Sequence, residues 1–169
     1  SGERGSGTIF FSGCNLRCLF CQNFEISHGE KGLEVSEKQL VSLMLYLQDS
    51  GAHNINLVTP SNYTNLLKDT LKIAKSQLKI PIVWNSSGYE TVQNLKKLDG
   101  LVDIYLPDFK YSNDDLAWEY SHAKGYRKIA FDAISEMRRQ QPDDVFGDDG
   151  MMQKGVIVRH LVLPGALEN

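Results

Sequence analysis

Apolar residues along the chain alternate between short unbroken runs and stripes with helical spacing. Thr8-Ile9-Phe10-Phe11 is a β-prone run. Ser36 with Gln39 three residues on carries a capping-box signature. Leu40, Leu43, Met44 and Leu47 then share one helical face, and Gly51 is a good stop. Ile55-Asn56-Leu57-Val58 reads as a second strand, ended by Pro60. A helix is expected over 64–76, with Leu67, Leu71 and Ala74 on one stripe, and a third strand over 80–84. Gly88, a helix over 91–98 and a fourth strand over 102–106 follow. The clearest later helix spans 126–140, with Ile129, Ala130, Ala133, Ile134 and Met137 inward. Residues 142–150 are acidic and polar and read as a loop; 156–163 reads as a fifth strand, ended by Pro164-Gly165. The pattern assigns no task to 112–125.

The order βαβαβαβαβ implies right-handed crossovers and a parallel sheet. An open doubly wound sheet and a partial βα barrel both satisfy it. In either, ligands gather at the carboxyl ends of the strands.

Composition narrows the class. The chain has 169 residues, 41% hydrophobic and 23% charged, as expected of one globular domain. Lys and Arg number 18 against 21 Asp and Glu, a net charge of −3, so no nucleic-acid partner is expected. The longest predominantly apolar stretch, 40–47, is far short of the roughly 18 residues that suggest a membrane span. No secretory leader pattern opens the sequence, and a cytoplasmic protein is the expectation.

Three cysteines are present, and an odd count leaves no complete disulfide framework. Their crowding into one loop points to metal or redox chemistry. Cys14-Asn15-Leu16-Arg17-Cys18-Leu19-Phe20-Cys21 follows the first strand directly, where a βα loop reaches the catalytic face. Three thiolates can bind three irons of a cubane and leave the fourth iron for an external ligand, whereas electron-transfer clusters usually take four cysteines. The alternative is a structural zinc site with His28 as fourth ligand. Three unligated cysteines so close on one loop are hard to hide in a core.

The stretch from Gly13 to Asn23 resembles the CxxxCxΦC signature (Φ aromatic) of radical S-adenosylmethionine (SAM) proteins. The wider chain is similar to the pyruvate formate-lyase activating enzyme-like family. The similarity extends through 5–12, 54–63, 102–111 and 155–165, the last including Arg159-His160-Leu161-Val162-Leu163-Pro164-Gly165. The resemblance implies a partial parallel βα barrel, commonly of six strands against the five counted here. Family members also carry sequence before the first strand, so residues 1–169 are expected to be a truncated SAM core. It implies a [4Fe–4S] cluster on Cys14, Cys18 and Cys21, with SAM on the open iron through its amino and carboxylate groups. Reductive cleavage then yields a 5′-deoxyadenosyl radical that abstracts hydrogen from a protein or small molecule, glycyl-radical enzyme activation being one such activity. A reducing partner such as flavodoxin or ferredoxin is implied, and no membrane.

The same resemblance distributes SAM contacts. Phe20 occupies the aromatic position whose loop meets adenine. Many members have Gly-Gly-Glu after the second strand; here Thr59, Ser61 or Asn62 stands in, although Thr-Pro-Ser-Asn is also ordinary turn chemistry. Asn85 and Ser87 lie in a stretch similar to Asp-Thr-Asn-Gly of activating enzymes, which holds a monovalent cation beside SAM; Asn85 replaces that Asp. Asp108 and Lys110, two apart on an extended segment, point to one side as a charged pair. Arg159 matches the arginine that meets the SAM carboxylate, with His160 on the opposite face; in the other register His160 lines the lumen instead.

Overall fold

The computed structural model describes residues 2–29 and 31–166. Strands β1 (Gly7–Phe10), β2 (Ile55–Val58), β3 (Ile82–Ser86) and β4 (Ile104–Phe109) lie side by side in parallel. Between and after them run helices α1 (Phe24–Ser27), α2 (Glu37–Asp49), α3 (Thr64–Lys75), α4 (Val92–Lys96), α5 (Asp114–Ser121) and α6 (Tyr126–Gln140). The Ser36–Gln39 capping box forms as the sequence predicts. The third strand sits two residues later than its apolar run suggests. Pro81 brings no donor; its carbonyl accepts from Ile55, and the ladder proper begins at Ile82.

Five expected strands become seven. The single fifth strand over 156–163 is corrected to two, β6 (Met152–Val156) and β7 (Arg159–His160), both pairing with β4. Pro107 explains the break. Ile157 N–H still donates to the Tyr105 carbonyl at 2.9 Å. The next bond of a parallel ladder would come from residue 107, and proline has no N–H to give. The segment read as a loop also contains a strand, β5 (Val145–Phe146), in an antiparallel hairpin with β6.

The arrangement of helices decides between the two candidate architectures. Ile55, Leu57, Ile82, Trp84 and Tyr105 form one core with Leu40 and Met44 of α2, Leu67 and Leu71 of α3, Leu95 of α4 and Met137 of α6. These strand residues leave one face of the sheet. Residues of the other parity, including Thr8, Asn56, Val58, Asn85 and Asp108, line an open cavity. Helices on one face and a concave cavity on the other make a partial βα barrel. In α6, Ile129 and Ile134 are only half-buried. Glu136 takes an inward place, neutralised by Arg139 at 2.8 Å.

A second core, with Leu16, Cys18, Tyr111, Ala117, Tyr126 and Ala130, lies under the cysteine loop. At its centre the buried Tyr126 hydroxyl joins the ends of β3 and β4. It lies 2.9 Å from the Ser87 carbonyl and 3.0 Å from the Asp108 carbonyl, and accepts from Lys110 N–H at 2.9 Å. Gly88 makes the approach possible: its φ is +73°, and a Cβ there would collide with the Asp108 carbonyl oxygen.

Gly88→Ala is therefore expected to lower stability by about 2–5 kcal/mol, combining left-handed backbone strain with a backbone clash. The measurement is the urea midpoint at unchanged m-value; a midpoint equal to that of the parent would show that β3 and β4 can part here without cost.

Candidate metal centre and ligand cavity

The cavity occupies the carboxyl ends of the strands and holds about 590 Å³, within the range of small-molecule sites. Cys14, Cys18 and Cys21 are on its wall. Each thiol has a different neighbour: the Leu16 N–H at 3.4 Å from Cys14, the Ser121 hydroxyl at 2.9 Å from Cys18, and the Ser27 hydroxyl at 3.0 Å from Cys21. Burial pushes the Cys14 and Cys18 thiols up. The Leu16 amide at Cys14 and the Ser121 hydroxyl at Cys18 pull the other way, as does the Lys110 ammonium at both. A cation and hydrogen-bond donors aimed at thiol sulfur are what a metal-bound thiolate requires.

The cysteine loop is docked at both ends. Arg17 and Leu19 N–H donate to the Ser121 and Tyr120 carbonyls at the end of α5, at 3.1 and 2.9 Å. Asn15 accepts from the Ser87 hydroxyl at 3.3 Å and donates to the Tyr89 carbonyl, tying the motif to the end of β3. Residues 112–125 thus serve as the buttress of this loop.

The same cavity holds a charged network. The mostly buried Asp108 meets Lys110 Nζ at 2.5 Å through one oxygen and Arg159 Nη2 at 2.8 Å through the other. Arg159 Nη2 also donates to Asn85 Oδ1 at 2.8 Å. Register explains the meeting, because Asp108 pairs with Arg159 across β4 and β7. The Lys110–Asp108–Arg159 set carries one net positive charge, and an anionic ligand would balance it. His160 also borders the cavity; it is exposed, with its Nδ1 2.6 Å from the Phe109 carbonyl.

Of the SAM contacts expected from sequence, Phe20, Thr59, Asn85, Ser87, Asp108, Lys110 and Arg159 all line this one cavity. Asn62 does not; it lies in the 3₁₀ turn Ser61–Tyr63 outside the wall, with its side chain toward Gly13. Pro60 starts the turn immediately after Thr59 and carries Asn62 past the strand end. Thr59 has a φ of +60°, which a β-branched residue adopts only under strain. Its N–H is held by the Asn85 carbonyl at 2.9 Å.

Sequence reasoning missed Thr8, Asn15, Asn56 and Ser121. Thr8 and Asn56 carried a signal, being polar residues inside apolar strands at the parity opposite the core. The Asn56 Oδ1 is buried and has no partner among the described residues. Ser121 carried no local signal.

The donor set suits a cluster held by three thiolates. Among the described residues no three His, Cys, Asp or Glu side chains gather tightly enough for a single metal ion.

Comparison with known proteins agrees with this geometry. The sequence model of the Radical SAM superfamily matches residues 8–165. An uncharacterised protein of Methanocaldococcus jannaschii is 33% identical over 170 residues, covering 96% of this chain and 46% of that protein. The pyruvate formate-lyase-activating enzyme of Clostridium pasteurianum is 30% identical over 129 residues, covering 73% of this chain and 52% of that protein. The chain thus spans about half the length of these relatives. In fold it is similar to crystalline methylornithine synthase, with a TM-score of 0.65, 16% identity, and 92% of this chain and 43% of that chain covered. It is also similar to the FeFe-hydrogenase maturase HydG of Carboxydothermus hydrogenoformans, with a TM-score of 0.64, 16% identity, and 93% and 44% covered. Among the described residues no helix is long and apolar enough to cross a membrane.

Behind the cavity wall lies a buried acid. Glu90 accepts from Trp84 Nε1 at 3.0 Å and from Ser86 Oγ at 2.6 Å. Desolvation raises its pKa above the ordinary 4.5, although the Ser86, Trp84 and Ser61 hydrogen bonds oppose the rise. The folded state therefore holds the proton more tightly than the unfolded state. Its contribution to stability is complete below about pH 4.5 and is lost as pH rises through the folded pKa. Glu90→Gln is expected to remove that decline. Melting temperatures of both proteins across this range test it, and parallel curves would show that Glu90 is ionised in the fold without cost.

Proposed function

The chain belongs to the Radical SAM superfamily, and on that premise we propose that it binds a [4Fe–4S] cluster through Cys14, Cys18 and Cys21 and SAM in the adjoining cavity. The observation that carries the reading is the meeting of three thiols with the Lys110–Asp108–Arg159 network on one cavity wall. When bound, these groups supply the hard chemistry, reductive cleavage of SAM to a 5′-deoxyadenosyl radical that abstracts hydrogen.

The chain's own residues bind and orient. Asp108 and Asn85 both accept from Nη2 of Arg159 and so fix the guanidinium, leaving its other N–H groups to donate singly to a ligand carboxylate. Asn85 and Ser87 offer small polar groups to ribose hydroxyls, and Phe20 offers a ring to adenine. The strained Thr59 presents its backbone and hydroxyl to the amino group in place of a carboxylate. Lys110 neutralises charge between Asp108 and the thiolates.

The hydrogen donor is a protein or a small molecule. Similarity to a pyruvate formate-lyase-activating enzyme supports the first, in the form of glycyl-radical enzyme activation. The cavity volume supports the second. The electron comes from a low-potential one-electron donor of the flavodoxin or ferredoxin kind. The reducing cytoplasm is the setting that suits three free thiols. A zinc module on the same cysteines is the competing reading. Its fourth ligand would be His28, whose Nδ1 is bonded to Ser27 Oγ at 2.8 Å and whose ring stacks on Phe24.

Anaerobic reconstitution is expected to give about four irons and four sulfides per chain, and SAM cleavage on reduction. Replacing any one of the three cysteines by Ala should abolish that cleavage. One zinc per chain with no iron taken up would overturn the assignment. Arg159→Ala is expected to weaken SAM binding by about 1.5–3 kcal/mol, roughly 10- to 150-fold in Kd. Equilibrium dialysis measures it, and an unchanged Kd would remove Arg159 from the site.

A further inference from the structure

We infer that Tyr111 and Ser121 form a buried hydroxyl relay that donates into the Cys18 thiolate and raises the tendency of the cluster to accept its electron. The inference rests on the cluster assignment above and concerns two residues that assignment does not use.

The Ser121 hydroxyl lies 2.9 Å from Cys18 Sγ, and the Tyr111 hydroxyl lies 2.6 Å from Ser121 Oγ. Relative exposures of 0% for Tyr111, 1% for Ser121 and 8% for Cys18 keep water from competing for these bonds. Proton counting fixes the direction. A sulfur bound to iron carries no proton and can only accept. Ser121 has one proton, so that proton points to sulfur, and its oxygen must accept from Tyr111. Tyr111 keeps its proton, because burial pushes its pKa up to about 12 despite the Ser121 bond. The chain Tyr111 O–H to Ser121 O–H to Cys18 sulfur is then polarised along its length.

The backbone holds the relay rigid. Ser121 is the last residue of α5, and its carbonyl accepts from Arg17 at 3.1 Å. His122 ends the helix in a left-handed conformation at φ +52°. Tyr111 packs edge-on against Tyr126, with ring centroids 5.3 Å apart. The three cysteines are consequently unequal. Cys14 is served by the Leu16 backbone N–H, which every substitution but proline retains. The relay at Cys18 is made of side chains and is open to substitution.

Reduction adds one electron from a low-potential donor to the cluster. No bond in the polypeptide breaks, and both relay protons stay on their oxygens. The added negative charge falls partly on sulfur, so a hydrogen bond to sulfur is stronger in the reduced state and favours it. Tyr111 and Ser121 are positioning residues, acting through Cys18.

The test is a potentiometric titration of reconstituted parent protein, Ser121→Ala and Tyr111→Phe, followed by the paramagnetic signal of the reduced cluster. Ser121→Ala is expected to lower the reduced-to-oxidised ratio about tenfold at a given poise, a midpoint about 59 mV more negative. Tyr111→Phe keeps the ring packing and should move the ratio the same way by about threefold. Equal midpoints in all three, at about four irons per chain, would overturn the relay and leave the cluster assignment standing. Failure of the parent to take up iron would overturn both. If Ser121→Ala does not hold a cluster, Tyr111→Phe alone decides.

Discussion

Side chains of a parallel strand leave alternately on two faces, and here helices cover only one of them. Every other arrangement at the site follows from that constraint. The outward parity is apolar and lies under α2, α3, α4 and α6. The inward parity is released from packing and carries Thr8, Asn56, Asn85 and Asp108 into a cavity. A doubly wound sheet would have demanded apolar residues on both faces. The polar positions inside these strands are therefore consequences of one-sided packing, and they are where chemistry can be placed at no cost to the core.

Two local devices convert that cavity into a defined site. Pro107 interrupts the ladder between β4 and the end of the chain, so Arg159 re-enters opposite Asp108 on a separate short strand. Tyr126 then holds the Ser87 and Asp108 carbonyls and the Lys110 N–H around one hydroxyl. The first device brings a guanidinium to a carboxylate. The second keeps the strand ends that present Ser87, Asp108 and Lys110 from separating. Tyr126 is fully buried and Asp108 mostly so, while Arg159 stays about half exposed; in the buried part a satisfied hydrogen bond is worth most and an unsatisfied one costs most.

The cysteine loop has no regular structure beyond the short α1, yet it is well supported. Its backbone N–H groups are taken up by the end of α5, and Asn15 links it to β3. A loop that keeps three thiols together needs external support of this kind, because its own chain supplies few contacts. Superfamily membership and the low-identity structural likenesses describe this shared frame. A substrate is decided by side chains lining the cavity, and those differ between proteins of one fold.

Much was legible before the fold was known. Cysteine spacing and the aromatic Phe20 pointed to the centre, the Ser36 capping box forms, and the helix over 126–140 has the ends its apolar stripe implies. These signals are local: they depend on neighbours within a few residues along the chain. Reading 156–163 as one strand failed because the interruption lies in Pro107, on a different strand. Ser121 reaches Cys18 across 103 residues, and Arg159 reaches Asn85 across 74. Such meetings depend on crossover hand, strand register and the docking of α5, each set by packing summed over the whole sheet. The sequence by itself placed three cysteines on one loop and marked the first four strands and most of the helices. The tertiary structure alone decided which face is the cavity and which hydroxyl meets which sulfur, because no local propensity encodes a contact between segments brought together only by folding.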